Sequence, residues 1–137
     1  ATDALMVRTT QQQTGDGAEA LVAEHLAAMG WRILGRQLRL GRVEVDLLAV
    51  APAPPAELVV VEVRMRGRRD FGLPEETLDH AKRLALRRAV GALRVVDALP
   101  DGTPLPPLML RVDLVAVEPR VGSGAPPAIR HHRAITV

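Results

Sequence analysis

The chain has 137 residues, of which 47% are apolar and 25% charged, which is typical of one soluble domain with a substantial core. It has no cysteine, which excludes disulfides, thiolate catalysis and cysteine-bound zinc. Trp31 and Phe71 are its only aromatic residues, so contacts with nucleic acid would depend on charge more than on stacking. No apolar run reaches ~18 residues and no signal-peptide pattern opens the chain, which predicts a cytoplasmic protein without a membrane span.

Residues 1–14 are polar and lack apolar periodicity, so we predict a disordered tail there and a single domain over residues 15–137. The first helix is predicted to begin with Asp16 as its N-cap, in a capping box closed by Glu19, and to end at Gly30. Its buried face, at helical spacing, comprises Ala18, Leu21, Val22, His25, Leu26 and Met29.

The remaining elements are three strands, a helix and two strands. This helix is predicted from Pro74 to about Val96, with Lys82 on its outer side. The order of elements predicts an α/β domain in which helices pack on a mixed sheet. The strands are predicted at residues 31–40, 43–50, 57–64, 108–117 and 129–137.

The second and third strands carry charged residues inside apolar segments. Strand alternation puts Glu44 and Asp46 on one face, and Glu62 and Arg64 on one face. A carboxylate removed from water without a partner is costly, so Asp46 and Glu62 need protons, cations or a metal ion. Oxygen ligands suit hard divalent cations such as Mg²⁺, which predicts a metal between the two strands. The alternatives are a buried ion-pair network with Arg64 and, for Glu44, a salt bridge with a nearby arginine.

Basic residues are concentrated around these strands, because residues 31–94 hold 13 Lys or Arg against 8 Asp or Glu while the whole chain has a net charge of +2. We predict that they contact nucleic-acid phosphates, with a solubilising surface as the alternative. Lys82 has a further interpretation, as a lysine that reaches the acidic pocket. The residues assigned to this interface are Arg36, Arg39, Arg42, Arg66, Arg68, Arg69 and Lys82.

Several blocks of sequence have counterparts in a known family. Glu44 to Ala49 matches a Glu-Ile-Asp-Leu-Ile-Ala block, and Val60 to Arg66 matches Phe-Val-Glu-Val-Lys-x-Arg. By the order and spacing of its blocks, the chain resembles the YraN-type family of uncharacterised bacterial proteins from about Gly15 to Ile135. The other matching blocks are Gly17–Glu19, Gly30–Leu34, Phe71–Pro74, Lys82–Leu84 and Arg111–Val115.

The YraN-type family is similar to the restriction-endonuclease-like, PD-(D/E)xK superfamily, which includes archaeal Holliday-junction resolvases. The resemblance implies that fold and a Mg²⁺- or Mn²⁺-dependent endonuclease acting on DNA, with branched or flapped DNA as candidate substrates. It implies Asp46, Glu62 and Arg64 as catalytic residues and Glu19, Asp46 and Glu62 as metal ligands. Resolvase-like relatives are often dimers, so a homodimer is one expectation for an oligomeric state that the sequence leaves open.

Arg64 occupies the position at which the superfamily has a lysine. Arginine stays protonated in proteins and is therefore a poor general base, although it can neutralise charge on a phosphate. This departure favours an alternative, a catalytically silent nucleic-acid-binding module with the same fold. A third interpretation is a protein-interaction scaffold whose acidic residues only form ion pairs.

Overall fold

The computed structural model describes residues 10–66, 72–120, 122 and 124–137, with side chains from residue 17 onward. Two helices lie on opposite faces of a five-stranded sheet, and a 3₁₀ turn at Pro74–Thr77 precedes the second helix. The elements are α1 (Thr10–Ala28), β1 (Arg32–Leu40), β2 (Val43–Ala51), β3 (Glu57–Met65), α2 (His80–Arg94), β4 (Met109–Glu118) and β5 (Ala128–His132).

The strands lie in the order β1-β2-β3-β4-β5 across the sheet. The β3–β4 pair is parallel, and the other three pairs are antiparallel. The connection between β3 and β4 contains α2, as a parallel pair requires a long crossover. The predicted α/β class, with helices packed on a mixed sheet, is confirmed.

The central strand β3 is buried on both faces, which explains its unbroken apolar run. Val59 and Val61 pack in the layer beneath α1, while Leu58 and Val60 pack in the layer beneath α2. Alternation along β3 therefore turns Glu62 toward the α2 side of the sheet. In the described part of the chain, no helix has both the length and the apolar character needed to cross a bilayer.

The start of α1 differs from the prediction. The helix begins at Thr10, so Asp16 lies within it and is not an N-cap. Residues 10–14 of the predicted tail are helical, because the polar stretch contains glutamines, which favour helix without needing a buried face. The rest of that tail, residues 1–9, lies outside the described residues.

The end of α1 agrees with the prediction. Gly30 has a φ of 91° and donates its N–H to the Ala27 carbonyl, while the Trp31 N–H donates to Leu26. These two bonds form a Schellman motif, with Gly30 in the left-handed position. Met29 follows the last helical residue and is 44% exposed, so its predicted burial was wrong.

The second helix is shorter than predicted. Pro74–Thr77 forms a separate 3₁₀ turn, and α2 begins only at His80. Asp79 separates the 3₁₀ turn from α2, because its side chain accepts a hydrogen bond from the Lys82 N–H and acts as the N-cap of α2. The last strand also ends early, at His132 rather than at residue 137, and the chain then turns at Ala134, which has a φ of 52°.

Candidate functional site

A cavity of about 500 Å³ opens where β2 and β3 separate, and both helices reach it. Glu19 comes from α1, Asp46 from β2, Glu62 and Arg64 from β3, and Lys82 from α2. The structure therefore brings together the three carboxylates and the arginine that the sequence assigned to one site. The cavity is also lined by Ala18, Val63, Met65, Arg66 and Thr77.

Asp46 is positioned by the end of the hydrogen-bonded pairing between β2 and β3. The paired positions of β2 and β3 stop at Leu47 and Val61. At the next residue of β2, the carboxylate of Asp46 replaces a backbone acceptor, because its Oδ2 accepts the Val63 N–H at 2.8 Å. This bond ties the Asp46 side chain to the opening between the strands.

The alternation of side chains along β2 changes phase at Asp46. Val45 and Leu48 pack in the layer beneath α2, whereas Leu47 packs beneath α1. Strict alternation would put Val45 and Leu47 on the same side of the sheet. The prediction that Glu44 and Asp46 share a face depended on that alternation. Glu44 is exposed and does not line the cavity.

Glu62 is the buried acid of the site, with only 1% of its surface exposed. Neither of its carboxylate oxygens has a hydrogen-bond donor among the residues that the structure describes. Two cations lie near Oε2, with Lys82 Nζ at 3.3 Å and Arg64 Nε at 3.5 Å. Burial, followed by the negative charge of Asp46, raises the pKa of Glu62 to about 8 despite these cations.

Glu19 reaches the cavity from the other face of the sheet and is half-buried. Its Oε2 accepts a hydrogen bond from Gln37 Nε2 at 2.8 Å. Burial and the charge of Asp46 raise the pKa of Glu19 to about 7, while Gln37 and Arg36 oppose that rise. Asp46 thus acts on both glutamates, and the three acids do not all ionise at neutral pH without an added cation.

The donor set suits a hard divalent cation, but it is not a preformed cage. Within residues 10–66, 72–120, 122 and 124–137, no three His, Cys, Asp or Glu side chains are arranged to hold a metal ion as they stand. Among the described residues, the buried oxygens of Glu62 nevertheless have two nearby cations but no hydrogen-bond donor, and the pKa values of both glutamates are raised toward or above neutral pH. A divalent cation would replace protons on these glutamates, because carboxylates bind metals in the ionised form.

Some predicted phosphate contacts lie at this cavity. Arg66 and Lys82 line it. Arg36 is exposed on β1, close enough for its charge to act on Glu19. Lys82 is half-buried, so the predicted position on the outer side of its helix was wrong.

Other predicted contacts lie elsewhere. Arg39 lines a separate, mainly apolar cavity with Leu40 and Ala92. Arg42 is exposed in the turn between β1 and β2 and does not line the acidic cavity. Arg68 and Arg69 lie outside the described residues.

Gln37 is a site residue that the sequence did not reveal. Its φ is 49°, in the left-handed region that non-glycine residues seldom adopt, at a cost of order 1 kcal/mol. It lies on β1 between the paired positions Arg36 and Leu38, directly opposite Asp46. A glutamine with this backbone has no distinct sequence signal, because asparagine and glycine are the usual residues there.

Replacing Gln37 by Met should raise the pKa of Glu19 further above its value of about 7, because the hydrogen bond that stabilises the carboxylate is lost. Carbon-detected NMR titration of the Glu19 carboxyl measures the change. Gln37→Asn is the matched control for the backbone, since asparagine tolerates the left-handed conformation. An unchanged Glu19 titration in Gln37→Met would contradict this role.

The chain matches the model of the Uncharacterised protein family UPF0102 over residues 18–117, a range that includes all three acids and Lys82. It is 36% identical to a UPF0102 protein of Roseiflexus castenholzii over 75% of this chain and 77% of the relative. It is also 36% identical to a UPF0102 protein of Symbiobacterium thermophilum, over 79% of this chain and 84% of the relative. The resemblance to the YraN-type family is thus confirmed. The chain belongs to the uncharacterised protein family UPF0102.

Proposed function

We propose that this protein is a divalent-metal-dependent phosphodiesterase that acts on DNA in the cytoplasm. The observation that carries the proposal is Glu62, a buried carboxylate without hydrogen-bond donors in the described structure, at a solvent-accessible cavity shared with Asp46 and Glu19. Burying an ionisable side chain of this kind costs the fold stability, and groups with strongly shifted pKa values concentrate at functional sites.

Asp46 and Glu62 would hold the cation, which is Mg²⁺ or Mn²⁺ in this proposal, and Glu19 would complete the ligand set. When bound, such a cation lowers the pKa of a water molecule and polarises a phosphoryl oxygen. The protein contributes the positions of the acids and a cationic wall formed by Arg64, Arg66 and Lys82. That wall favours approach of a phosphate to an otherwise acidic site.

The test is cleavage of branched, flapped and linear duplex oligonucleotides in Mg²⁺, in Mn²⁺ and in EDTA. Wild type is expected to cleave in either metal and not in EDTA, and Asp46→Asn should lose about a hundredfold or more. Glu44→Gln is the matched control, because Glu44 is an exposed carboxylate on the same strand and should retain full activity. Cleavage that persists in EDTA or in Asp46→Asn would contradict the proposal.

A second candidate is a catalytically silent DNA-binding module. Arg64 in place of a lysine favours it, as does the absence of a preformed three-ligand cage within the described residues. This candidate predicts DNA binding that weakens steeply with salt and no cleavage in either metal. The same oligonucleotides, measured by fluorescence anisotropy at two salt concentrations, separate the two candidates.

A further inference from the structure

Two cations approach the same oxygen of Glu62 from different elements. Arg64 lies two residues along β3, and Lys82 lies in the first turn of α2. Their nitrogens are 3.5 Å and 3.3 Å from Glu62 Oε2, and their side chains are 27% and 28% exposed. Proximity to Glu62 and exposure therefore do not distinguish the roles of Arg64 and Lys82. Their other contacts do.

The guanidinium of Arg64 is held by the 3₁₀ turn. Its Nη2 donates to the Thr77 carbonyl at 2.8 Å, and the Thr77 hydroxyl donates to the Pro74 carbonyl at 2.6 Å. The Nε of Arg64 is buried and has no hydrogen-bond partner in the described part of the chain. One N–H of the guanidinium is thus committed to the 3₁₀ turn that precedes α2, and these contacts suit a residue that fixes the turn.

Lys82 is fixed through its backbone, which leaves its side chain to extend into the cavity. Its N–H donates to Asp79 Oδ1 at 2.9 Å in the first turn of α2. An ammonium group has three donors, and the ion pair with Glu62 occupies one side of it. Lys82 is also the only lysine in the sequence, so no other ammonium side chain can supply this charge.

We propose that Lys82 is the catalytic cation of this site and that Arg64 is a positioning residue for the 3₁₀ turn that leads into α2. The inference rests on the proposed function. The Lys82 ammonium donates to a non-bridging oxygen of the scissile phosphate and offsets the negative charge that grows there in the transition state. The lysine missing from β3 is thus replaced from the helix on the face of the sheet toward which Glu62 points.

The experiment combines DNA cleavage with Mn²⁺ affinity measured by calorimetry without DNA. Lys82→Met is expected to lower kcat by about a hundredfold, the usual effect of removing one transition-state donor. The same variant should bind Mn²⁺ at least as tightly as wild type, because a positive charge beside a metal ligand has been removed. Lys82→Gln, which keeps a polar side chain, repeats the test if the methionine variant does not fold.

Variants of Arg64 form the second part of the experiment. Arg64→Lys should not raise kcat above that of wild type. Arg64→Met should lower the melting temperature, and it should lower kcat less than Lys82→Met does. Arg88→Met is the matched control, since Arg88 is exposed on α2 outside the cavity and should keep wild-type kcat. Full activity in Lys82→Met with a clear gain in Arg64→Lys would overturn the inference alone. Wild type that cleaves no DNA in either metal would overturn the proposed function and the inference together.

Discussion

Replacing Glu62 by Gln is expected to raise the free energy of unfolding at pH 8 in metal-free buffer. The pKa of Glu62 is raised to about 8 in the folded protein from an ordinary value of 4.5, chiefly by burial. The stability that goes with its protonated form is full below about pH 4.5 and is lost as the pH rises through about 8. Glutamine keeps the shape of the protonated acid without this loss, and the difference should reach a few kcal/mol, at about 1.4 kcal/mol for each pKa unit.

Urea unfolding of the two proteins between pH 5 and pH 8, with EDTA present, measures this difference. The curves of wild type and Glu62→Gln should converge near pH 5 and separate steadily toward pH 8. Glu44→Gln, the exposed carboxylate on the neighbouring strand, should stay within about 0.5 kcal/mol of wild type at both ends. A constant gap across the whole range would mean that Glu62 does not carry the raised pKa.

Replacing Arg111 by Met is expected to destabilise the fold by about 3–5 kcal/mol, the cost of leaving a buried charge without its partner. Asp113 is fully buried, and Arg111 binds both of its oxygens, with Nε at 3.0 Å and Nη2 at 3.2 Å. Burial alone would raise the pKa of Asp113, but hydrogen bonds from His131 and Arg111 outweigh it and hold the pKa below its usual value. Loss of the arginine leaves much of that charge uncompensated.

Urea unfolding at pH 7 measures the effect of Arg111→Met. Arg32→Met serves as the matched control, because Arg32 is an exposed arginine of the same sheet and its replacement should cost less than about 0.5 kcal/mol. A loss below 1 kcal/mol in Arg111→Met would show that His131 and the Ala134 N–H, both 2.8 Å from Asp113, are sufficient partners.

The order of elements and the meeting of the three acids could be predicted from the sequence, for different reasons. The strands and helices were predicted from the spacing of apolar residues. The apolar run of β3 also indicated that Glu62 is buried and needs a partner. The arrival of Glu19 from the opposite face depended on the family resemblance, since its local pattern indicated only a helix cap. The predicted cap was wrong, because α1 extends back to Thr10 and Asp16 lies within the helix.

The details that complete the site depend on contacts that no local pattern reports. Asp79 rather than Pro74 determines where α2 begins, and this brings Lys82 to the cavity. The phase change at Asp46 breaks the alternation on which the face assignment of Glu44 rested. The left-handed backbone of Gln37 is unmarked in the sequence, because the surrounding sheet imposes it against the residue's own preference.

The most direct test is Mn²⁺ binding at pH 8, followed by electron paramagnetic resonance in the absence of DNA. Wild type and Glu44→Gln should bind Mn²⁺ equally, whereas Asp46→Asn and Glu62→Gln should lose that binding, because Asp46 and Glu62 hold the cation together. Equal binding by wild type and Glu62→Gln, or no binding by wild type at millimolar Mn²⁺, would contradict a cation site built on these acids.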